Sequence, residues 1–306
     1  MSLQSPILVT GARRAGTTWT GKMLGLAKNA RPVGEIFNPQ MGALEARGIF
    51  DRWFVYVTQS MAREYAIKLR ECLKRIEKTP EYIYGKSPFS PRFYWHHLKY
   101  AYTRLRYPVR LVIKDPIAAF SAEWFGSTFS MDVVVVVRHP AAVVNSLLRV
   151  NWVLDFRRHI LSQEELVRDH LGDYVGALER VGMDDRIENA SLQWLITYKV
   201  LHDYITRNPH WIVVRHEDLA VDPLAGFKNL YSRLGLLFDE AASREIVAHT
   251  QNTNPVVPPE GETTYLKRDS RALASLWRRV LSHEEIAQIR ELVEPVASLY
   301  YDETDW

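Results

Sequence analysis

The segment "ILVTGARRAGTTW" (residues 7–19) has most of the features of a phosphate-binding loop. A Walker A loop consists of glycine, four residues, a second glycine, and then lysine followed by serine or threonine. Gly11 and Gly16 keep this spacing, but Thr17 stands at the lysine position. Glycines let a backbone approach a phosphate closely, and a helix that begins after the loop offers free N–H groups to an anion. The segment therefore predicts an anion site without the Walker lysine.

A second candidate anion motif follows the run of five valines at 133–137. A metal-assisted NTPase would place an acidic residue after such a strand to hold magnesium. Here the strand is followed by Arg138, and the first loop offers the guanidinium of Arg14, which is planar and permanently charged. Ser146 comes eight residues after Arg138, and a helix over 140–150 would place it within reach of the strand end. The pattern indicates that cations, and not a metal, balance the charge of the ligand.

The elements that must position these residues alternate between strands and helices. Residues 6–10 predict a buried strand and Thr17–Lys28 a helix, and residues 189–207 predict a helix that leads into the strand of "WIVVRHEDL". "VRLVIK" and "MDVVVVVR" predict strands that are buried on both faces. This order predicts an α/β fold with a P-loop-type central parallel sheet flanked by helices. Ligands of such sheets bind at the carboxyl ends of the strands, where both motifs would meet.

The rest of the chain predicts one domain over 1–306 with helical insertions at about 52–108 and 152–188, the second serving as an acceptor lid. Residues 52–78 have the pattern of a long helix, and "RPVGEIFNPQMG" (31–42) predicts a surface loop. The polar segment 250–270 predicts a long functional loop. Ser282 and Glu285 predict a capping box for the last helix.

Composition narrows the class of protein. The 39 basic and 36 acidic residues give a formal charge of +3, which argues against a nucleic-acid partner and makes any anion site local. A single cysteine, Cys72, excludes an intramolecular disulfide. The ten histidines form no HExxH pattern, which argues against a zinc site. No leader pattern or membrane-spanning apolar run is evident, so we expect a soluble, cytoplasmic protein with no transmembrane segment.

The two anion motifs carry a resemblance to a known family. "GARRAGTTW" is similar to the 5′-phosphosulfate loop of sulfotransferases that use 3′-phosphoadenosine 5′-phosphosulfate (PAPS), and "RHPAAVVNS" is similar to their 3′-phosphate motif. Flanking segments resemble bacterial carbohydrate-type members: "VGEIFNP", "VIKDPIAAFSAEW", "VRHEDLAVDP" and "LKRDSRALASLWRRVLSHEEI". The resemblance covers most of the chain outside 52–108 and 152–188. Two departures are Arg13, where the family commonly has proline, and Ala15, where it commonly has serine.

The resemblance implies transfer of a sulfuryl group from PAPS to the hydroxyl of a carbohydrate or other small molecule, with release of adenosine 3′,5′-bisphosphate (PAP). Arg14 would contact the bridging oxygen and the 5′-phosphate, and Arg138 and Ser146 would hold the 3′-phosphate. Lys267 and Arg268 resemble the basic segment that closes over the nucleotide, although a solvated charge pair is an alternative. The implied nucleotide-binding residues are Arg13, Arg14, Ala15, Gly16, Thr17, Thr18, Trp19, Arg138, Ser146, Lys267 and Arg268.

The acceptor hydroxyl requires a general base within hydrogen-bond reach. Glu35 is the first candidate, because some bacterial relatives carry a glutamate base in the corresponding segment. Asp115 is the second, with Lys114 as a cation beside the transferring group. The alternatives are that Glu35 pairs with Arg31 or Arg47, and that Asp115 binds nearby backbone N–H groups at the strand end.

Two other functions stay open from the sequence. One is a P-loop kinase that uses ATP and magnesium, against which Thr17 argues. The other is a catalytically silent protein that binds PAP without turnover. The aromatic residues at 93–102 and 152–156 fit either an acceptor platform or the core.

Overall fold

The computed structural model describes residues 4–40, 42–78, 108–257 and 266–306. The aromatic segment 93–102, much of the predicted insertion at 52–108 and residues 258–265 of the predicted long loop lie outside this part of the chain. The strands within it are β1 (Ile7–Thr10), β2 (Ala30–Val33), β3 (Arg110–Lys114), β4 (Asp132–Val137) and β5 (Ile212–Arg215).

The five described strands form one sheet with the order β2-β3-β1-β4-β5, and every neighbouring pair is parallel. β1 lies near the middle, with Leu8 opposite Ile113 on one side and Val133 on the other. Alternate side chains of β4 enter two different hydrophobic clusters, because successive residues of a strand point to opposite faces. Both faces of the sheet are therefore buried, as the unbroken valine run predicts.

Helices cover the two faces of the sheet. They are α1 (Thr17–Leu24), α2 (Gln59–Lys78), α3 (Ala122–Thr128), α4 (Pro140–Arg149), α5 (Glu164–Leu166), α6 (Val175–Arg180), α7 (Arg186–Arg207), α8 (His216–Val221), α9 (Pro223–Arg233), α10 (Glu240–Thr250), α11 (Ser270–Ala274), α12 (Trp277–Val280) and α13 (His283–Ala297). Short π-helical turns, Arg157–Leu161 and Val167–Leu171, flank α5 within the predicted insertion 152–188. The predicted α/β class with a parallel central sheet is confirmed, as is the Ser282–Glu285 capping box at the start of α13.

Two sequence predictions about local structure are wrong. The predicted loop 31–42 begins inside strand β2. Pro32 is tolerated there because β2 is an edge strand among the strands that the structure describes, and an edge strand needs no N–H donor on its open side. The predicted helix 52–78 begins only at Gln59. Before it, side chains bind the backbone: Ser121 accepts a hydrogen bond from the N–H of Val57, and Gln163 accepts one from that of Tyr56. These tertiary contacts replace the hydrogen bonds of a helix.

In the described part of the chain, no helix combines the length and apolar character needed to cross a bilayer.

Candidate active site

The loop between β1 and α1 has the backbone conformation of an anion-binding turn. Gly11 has φ 149° and Gly16, the residue that caps α1, has φ 99°, a region that side-chain-bearing residues rarely adopt. A Cβ atom at Gly11 would lie 2.3 Å from the carbonyl oxygen of Val136 on the neighbouring strand. The loop therefore packs against β4 as only glycine allows, and α1 begins at Thr17 with its free N–H groups at the carboxyl edge of the sheet.

Arg14 joins the two anion motifs. It is held in the left-handed region at φ 68°, which is uncommon for arginine and often marks a functional loop. Its carbonyl oxygen accepts a hydrogen bond of 3.0 Å from Nη1 of Arg138, and its own Nε donates one of 3.0 Å to Oγ of Ser146. The loop after β1 and the segment after β4 thus meet directly, as their positions at the strand ends predict.

These residues line a cleft of about 700 Å³. Its walls come from the β1–α1 loop, the segment after β2, the end of β3, α4 and the segment around 266–277. The side chains and glycines that line it include Arg13, Arg14, Gly16, Thr17, Thr18, Trp19, Glu35, Asn38, Gln40, Trp53, Lys114, Arg138, Ala142, Asn145, Ser146, Arg149, Trp152, His216, Arg268 and Trp277. A cleft of this size accommodates a nucleotide-sized ligand together with part of a second molecule.

The charge of the described cleft lining is strongly positive. Five arginines and Lys114 contribute to it, whereas Glu35 is the acidic residue among the described lining side chains. Burial, and then the charges of Arg149, Arg138, Arg268 and Arg13, together lower the pKa of Arg14 to about 10. Like charges at such proximity raise the energy of the unliganded site, so an anion that binds among them relieves this repulsion.

Glu35 and Lys114 form a pair on the β2–β3 side of the cleft. Nζ of Lys114 lies 2.5 Å from Oε1 of Glu35, and Nδ2 of Asn38 donates a hydrogen bond of 2.6 Å to Oε2. The described partners of Glu35 are therefore neither Arg31 nor Arg47, and Arg31 instead donates to the carbonyl oxygen of Ile76. The pair brings a carboxylate and an ammonium group to the same wall of the cleft.

Asp115, the second candidate for the base, has a different position. Its side chain is fully buried, and its two oxygens accept hydrogen bonds from four backbone N–H groups, those of Ile36, Phe37, Ile117 and Ala118, at 2.7–3.1 Å. Burial and the neighbouring Glu35 raise the pKa of Asp115 to about 7, while the backbone N–H groups act in the opposite direction. Asp115 thus fastens the loop that carries Glu35 to the end of β3, which is the arrangement that the sequence offers as the alternative to a base at this position.

Arg13, a predicted nucleotide-binding residue, lines the cleft and also makes contacts away from it. Its guanidinium lies about 5.3 Å from the ring of Phe54 and 5.4 Å from that of Trp152, and Nη2 donates to Oε1 of Gln193. Gln193 in turn donates to Asn189, which exchanges two hydrogen bonds with the backbone of Leu154. Arg13 touches the cleft but chiefly connects the loop to the 152–154 segment.

The other predicted binding residues divide into two groups. Gly16, Thr17, Thr18 and Trp19 line the cleft, as do Arg138, Ser146 and Arg268. Ala15 and Lys267 lie outside the described cleft lining, Ala15 because it is buried and Lys267 as an exposed residue. The predicted basic pair at 267–268 therefore contributes one cation to the cleft, Arg268.

Sequence reasoning missed His216, which lines the cleft directly after β5. The residue is 4% exposed, and neither ring nitrogen has a hydrogen-bond partner among the described residues. Its ring lies edge-on to Trp19, with centroids 5.2 Å apart, and a Cβ atom at Gly16 would lie 2.5 Å from Nδ1. Burial, and then the charge of Arg138, hold the pKa of His216 well below its ordinary value, so the ring is neutral. The sequence feature that could have identified His216 as a site residue is its position directly after a predicted strand.

Comparison with known proteins identifies the family to which this chain belongs. Residues 6–240 match the Sulfotransferase family, and the chain belongs to that family. Human carbohydrate sulfotransferase 2 is 26% identical over 190 residues, which cover 56% of this chain and 35% of the human protein. The mouse carbohydrate sulfotransferase 2 is 29% identical over 94 residues, 30% of this chain and 17% of that protein. The chain thus spans about a third or less of the length of these relatives.

The fold has a counterpart among solved structures. The sulfotransferase domain from the curacin biosynthetic pathway superposes with a TM-score of 0.50 at 14% sequence identity, and the match covers 99% of both chains. At this identity the similarity establishes the fold, which is that of the sulfotransferases.

Proposed function

We propose that this protein transfers a sulfuryl group from PAPS to a hydroxyl acceptor and releases PAP. The observation that carries the proposal is the contact between the two anion motifs, in which Arg14 binds both Arg138 and Ser146 inside a cation-lined cleft. PAP carries phosphate groups at both ends of its ribose. A site that joins a loop at a helix N-terminus with a separate Arg-Ser pair is suited to two such groups.

The donor nucleotide is assigned to the β1–β4 side of the cleft. The N–H groups at the start of α1 and the hydroxyls of Thr17 and Thr18 would bind the 5′-phosphosulfate, and Arg138 with Ser146 would bind the 3′-phosphate. Trp19 and the neutral ring of His216 form an apolar wall with one hydrogen-bonding edge, which fits a purine base.

The chemical step follows from the remaining side chains. The acceptor oxygen forms a bond to sulfur while the bond between sulfur and the bridging oxygen of PAPS breaks, and the electron pair of that bond leaves with PAP. Glu35 would accept the proton of the acceptor hydroxyl, and the position of its carboxylate in the cleft lining supports this role. Arg14 and Lys114 would balance the charge that develops on the leaving oxygen.

The acceptor is assigned to the side of the cleft next to Glu35. Asn38, which donates to Glu35, and the neighbouring Gln40 line the cleft there, and Trp53 and Trp152 also line the cleft. Indole faces combined with amides and a carboxylate suit a sugar ring, which offers an apolar face and hydroxyls. The carbohydrate sulfotransferases among the relatives support the same class, so we propose a carbohydrate or similar small polyhydroxylated acceptor.

Arg138 provides the test of the donor assignment. Replacing Arg138 by alanine is expected to weaken PAP binding by roughly 1.5–3 kcal/mol, because a charge-assisted hydrogen bond to the 3′-phosphate is lost. Affinity for adenosine 5′-monophosphate, which has no 3′-phosphate, should change much less. Isothermal titration calorimetry with both nucleotides measures the difference, and thermal melting controls for folding. Equal losses for the two nucleotides would contradict a 3′-phosphate role for Arg138.

A further inference from the structure

Helix α4 contributes further residues to the cleft besides Ser146, the serine of the sequence motif. Ala142, Asn145, Ser146 and Arg149 all line the cleft. Their spacings of three and four residues place them on one face of the helix. Arg149 lies one turn beyond Ser146, whose hydroxyl already contacts Arg14. A second guanidinium therefore follows the Arg138–Ser146 pair along the same wall.

The charge of Arg149 has no compensating partner in the part of the chain that the structure describes, where no ion pair or hydrogen bond involves its side chain. The charge of Arg149 instead lowers the pKa of two other cations of the site, Arg14 and Arg138. It is the largest charge effect on Arg14, ahead of those of Arg138, Arg268 and Arg13, and it also lowers the pKa of Arg138. Arg149 therefore belongs to the same local field as the two anion motifs.

An arginine in the last turn of a helix can also have a purely structural role. Such a residue often interacts favourably with the negative end of the helix dipole while solvent hydrates its charge. The helix end and the solvent would then both stabilise the positive charge. The side chain of Arg149 keeps much of its exposure to solvent, and its partial burial lowers its pKa. It also lines the cleft beside other cations, and this arrangement favours the binding of an anion there.

We propose that Arg149 is a third ligand of the 3′-phosphate of the donor, next to Arg138 and Ser146. The inference rests on the proposed function, since it concerns the same nucleotide. A phosphate monoester carries close to two negative charges at neutral pH. Arg138 is the one cation that the motif after β4 assigns to this phosphate, and Arg14 is needed at the 5′ end. Arg149 supplies a further cation on the same wall as Ser146 and so strengthens discrimination between nucleotides with and without a 3′-phosphate.

The test compares three probes on the full chain: PAP, adenosine 3′-monophosphate and adenosine 5′-monophosphate. Replacing Arg149 by glutamine is expected to weaken binding of PAP and of the 3′-monophosphate about fivefold to thirtyfold and to leave the 5′-monophosphate unchanged. Arg149→Lys, which keeps the charge but loses the planar fork, should fall between glutamine and the wild type. Arg186→Gln is the matched control, because Arg186 binds the carbonyl oxygen of Leu148 near the same helix end without lining the described cleft.

The outcomes separate the two proposals. If the wild type binds PAP and Arg149→Gln binds it equally well, the role of Arg149 is wrong and the proposed function stands. A loss for the 5′-monophosphate alone would move Arg149 to the other end of the nucleotide and also overturn the assignment. An equal loss of PAP affinity in Arg186→Gln would show that removal of any nearby positive charge produces the effect, and it would overturn the role of Arg149 as a ligand. A wild type that binds none of the three probes would overturn the proposed function and this inference with it.

Discussion

Replacing Glu35 by glutamine is expected to lower the turnover number about 100- to 10,000-fold, the range that removal of a general base produces. Glutamine has nearly the same shape, and its single amide oxygen can keep one of the two hydrogen bonds that Glu35 accepts, from Lys114 or from Asn38. It cannot accept a proton at neutral pH. Affinity for PAP should stay the same or rise slightly, because the variant removes a negative charge from a cationic cleft.

Release of PAP from PAPS in the presence of a panel of mono- and disaccharides measures this prediction, and calorimetry with PAP measures binding. Glu45→Gln is the control, because Glu45 follows shortly in the chain and lies outside the described cleft lining. Normal turnover in Glu35→Gln would remove Glu35 as the base. Weakened PAP binding in the same variant would mean that the carboxylate acts through the donor site.

Replacing Asp115 by alanine is expected to reduce the free energy of unfolding by about 3–5 kcal/mol, because the change leaves buried N–H groups without acceptors. Four such groups, those of Ile36, Phe37, Ile117 and Ala118, now bind its carboxylate. The loop that carries Glu35 would lose its attachment to the end of β3. Urea denaturation followed by circular dichroism measures the change.

Asp222→Ala is the comparison for Asp115. Asp222 caps a helix by accepting one exposed N–H bond of 3.1 Å from Ala225, so its loss should reduce stability by only about 1 kcal/mol. If Asp115→Ala is as stable as Asp222→Ala, the four hydrogen bonds do not support the loop as described. Asp115→Asn should fall between the two, since an amide has one acceptor oxygen where the carboxylate has two.

The sequence predicts the site best where chemistry and backbone conformation depend on the same residues. Gly11 and Gly16 are required by positive φ angles and a close approach to β4, and both are visible in the spacing of the loop. The pairing of Arg138 with Ser146 follows from a strand end and a helix that starts at Pro140. These local rules were sufficient to place both motifs at one edge of the sheet.

The remaining features depend on tertiary contacts that no local pattern encodes. Strand β2 contains Pro32 and is possible only because the sheet order makes it an edge. Residues 51–58 form no helix, because Ser121 and Gln163, far along the chain, bind their backbone. Arg13 turns towards Gln193 and Trp152, and Arg149 enters the cleft, owing to the packing of α4 and α7 against the loop.

The central claim is that the cation-lined cleft binds a nucleotide through its 3′-phosphate without a metal ion, and calorimetric titration of the full chain tests it most directly. PAP and ADP are titrated in parallel, each with magnesium and with EDTA. PAP is expected to bind clearly more tightly than ADP, and magnesium is expected not to change its affinity. Magnesium-dependent binding of ADP with no preference for PAP would contradict this claim and favour a kinase.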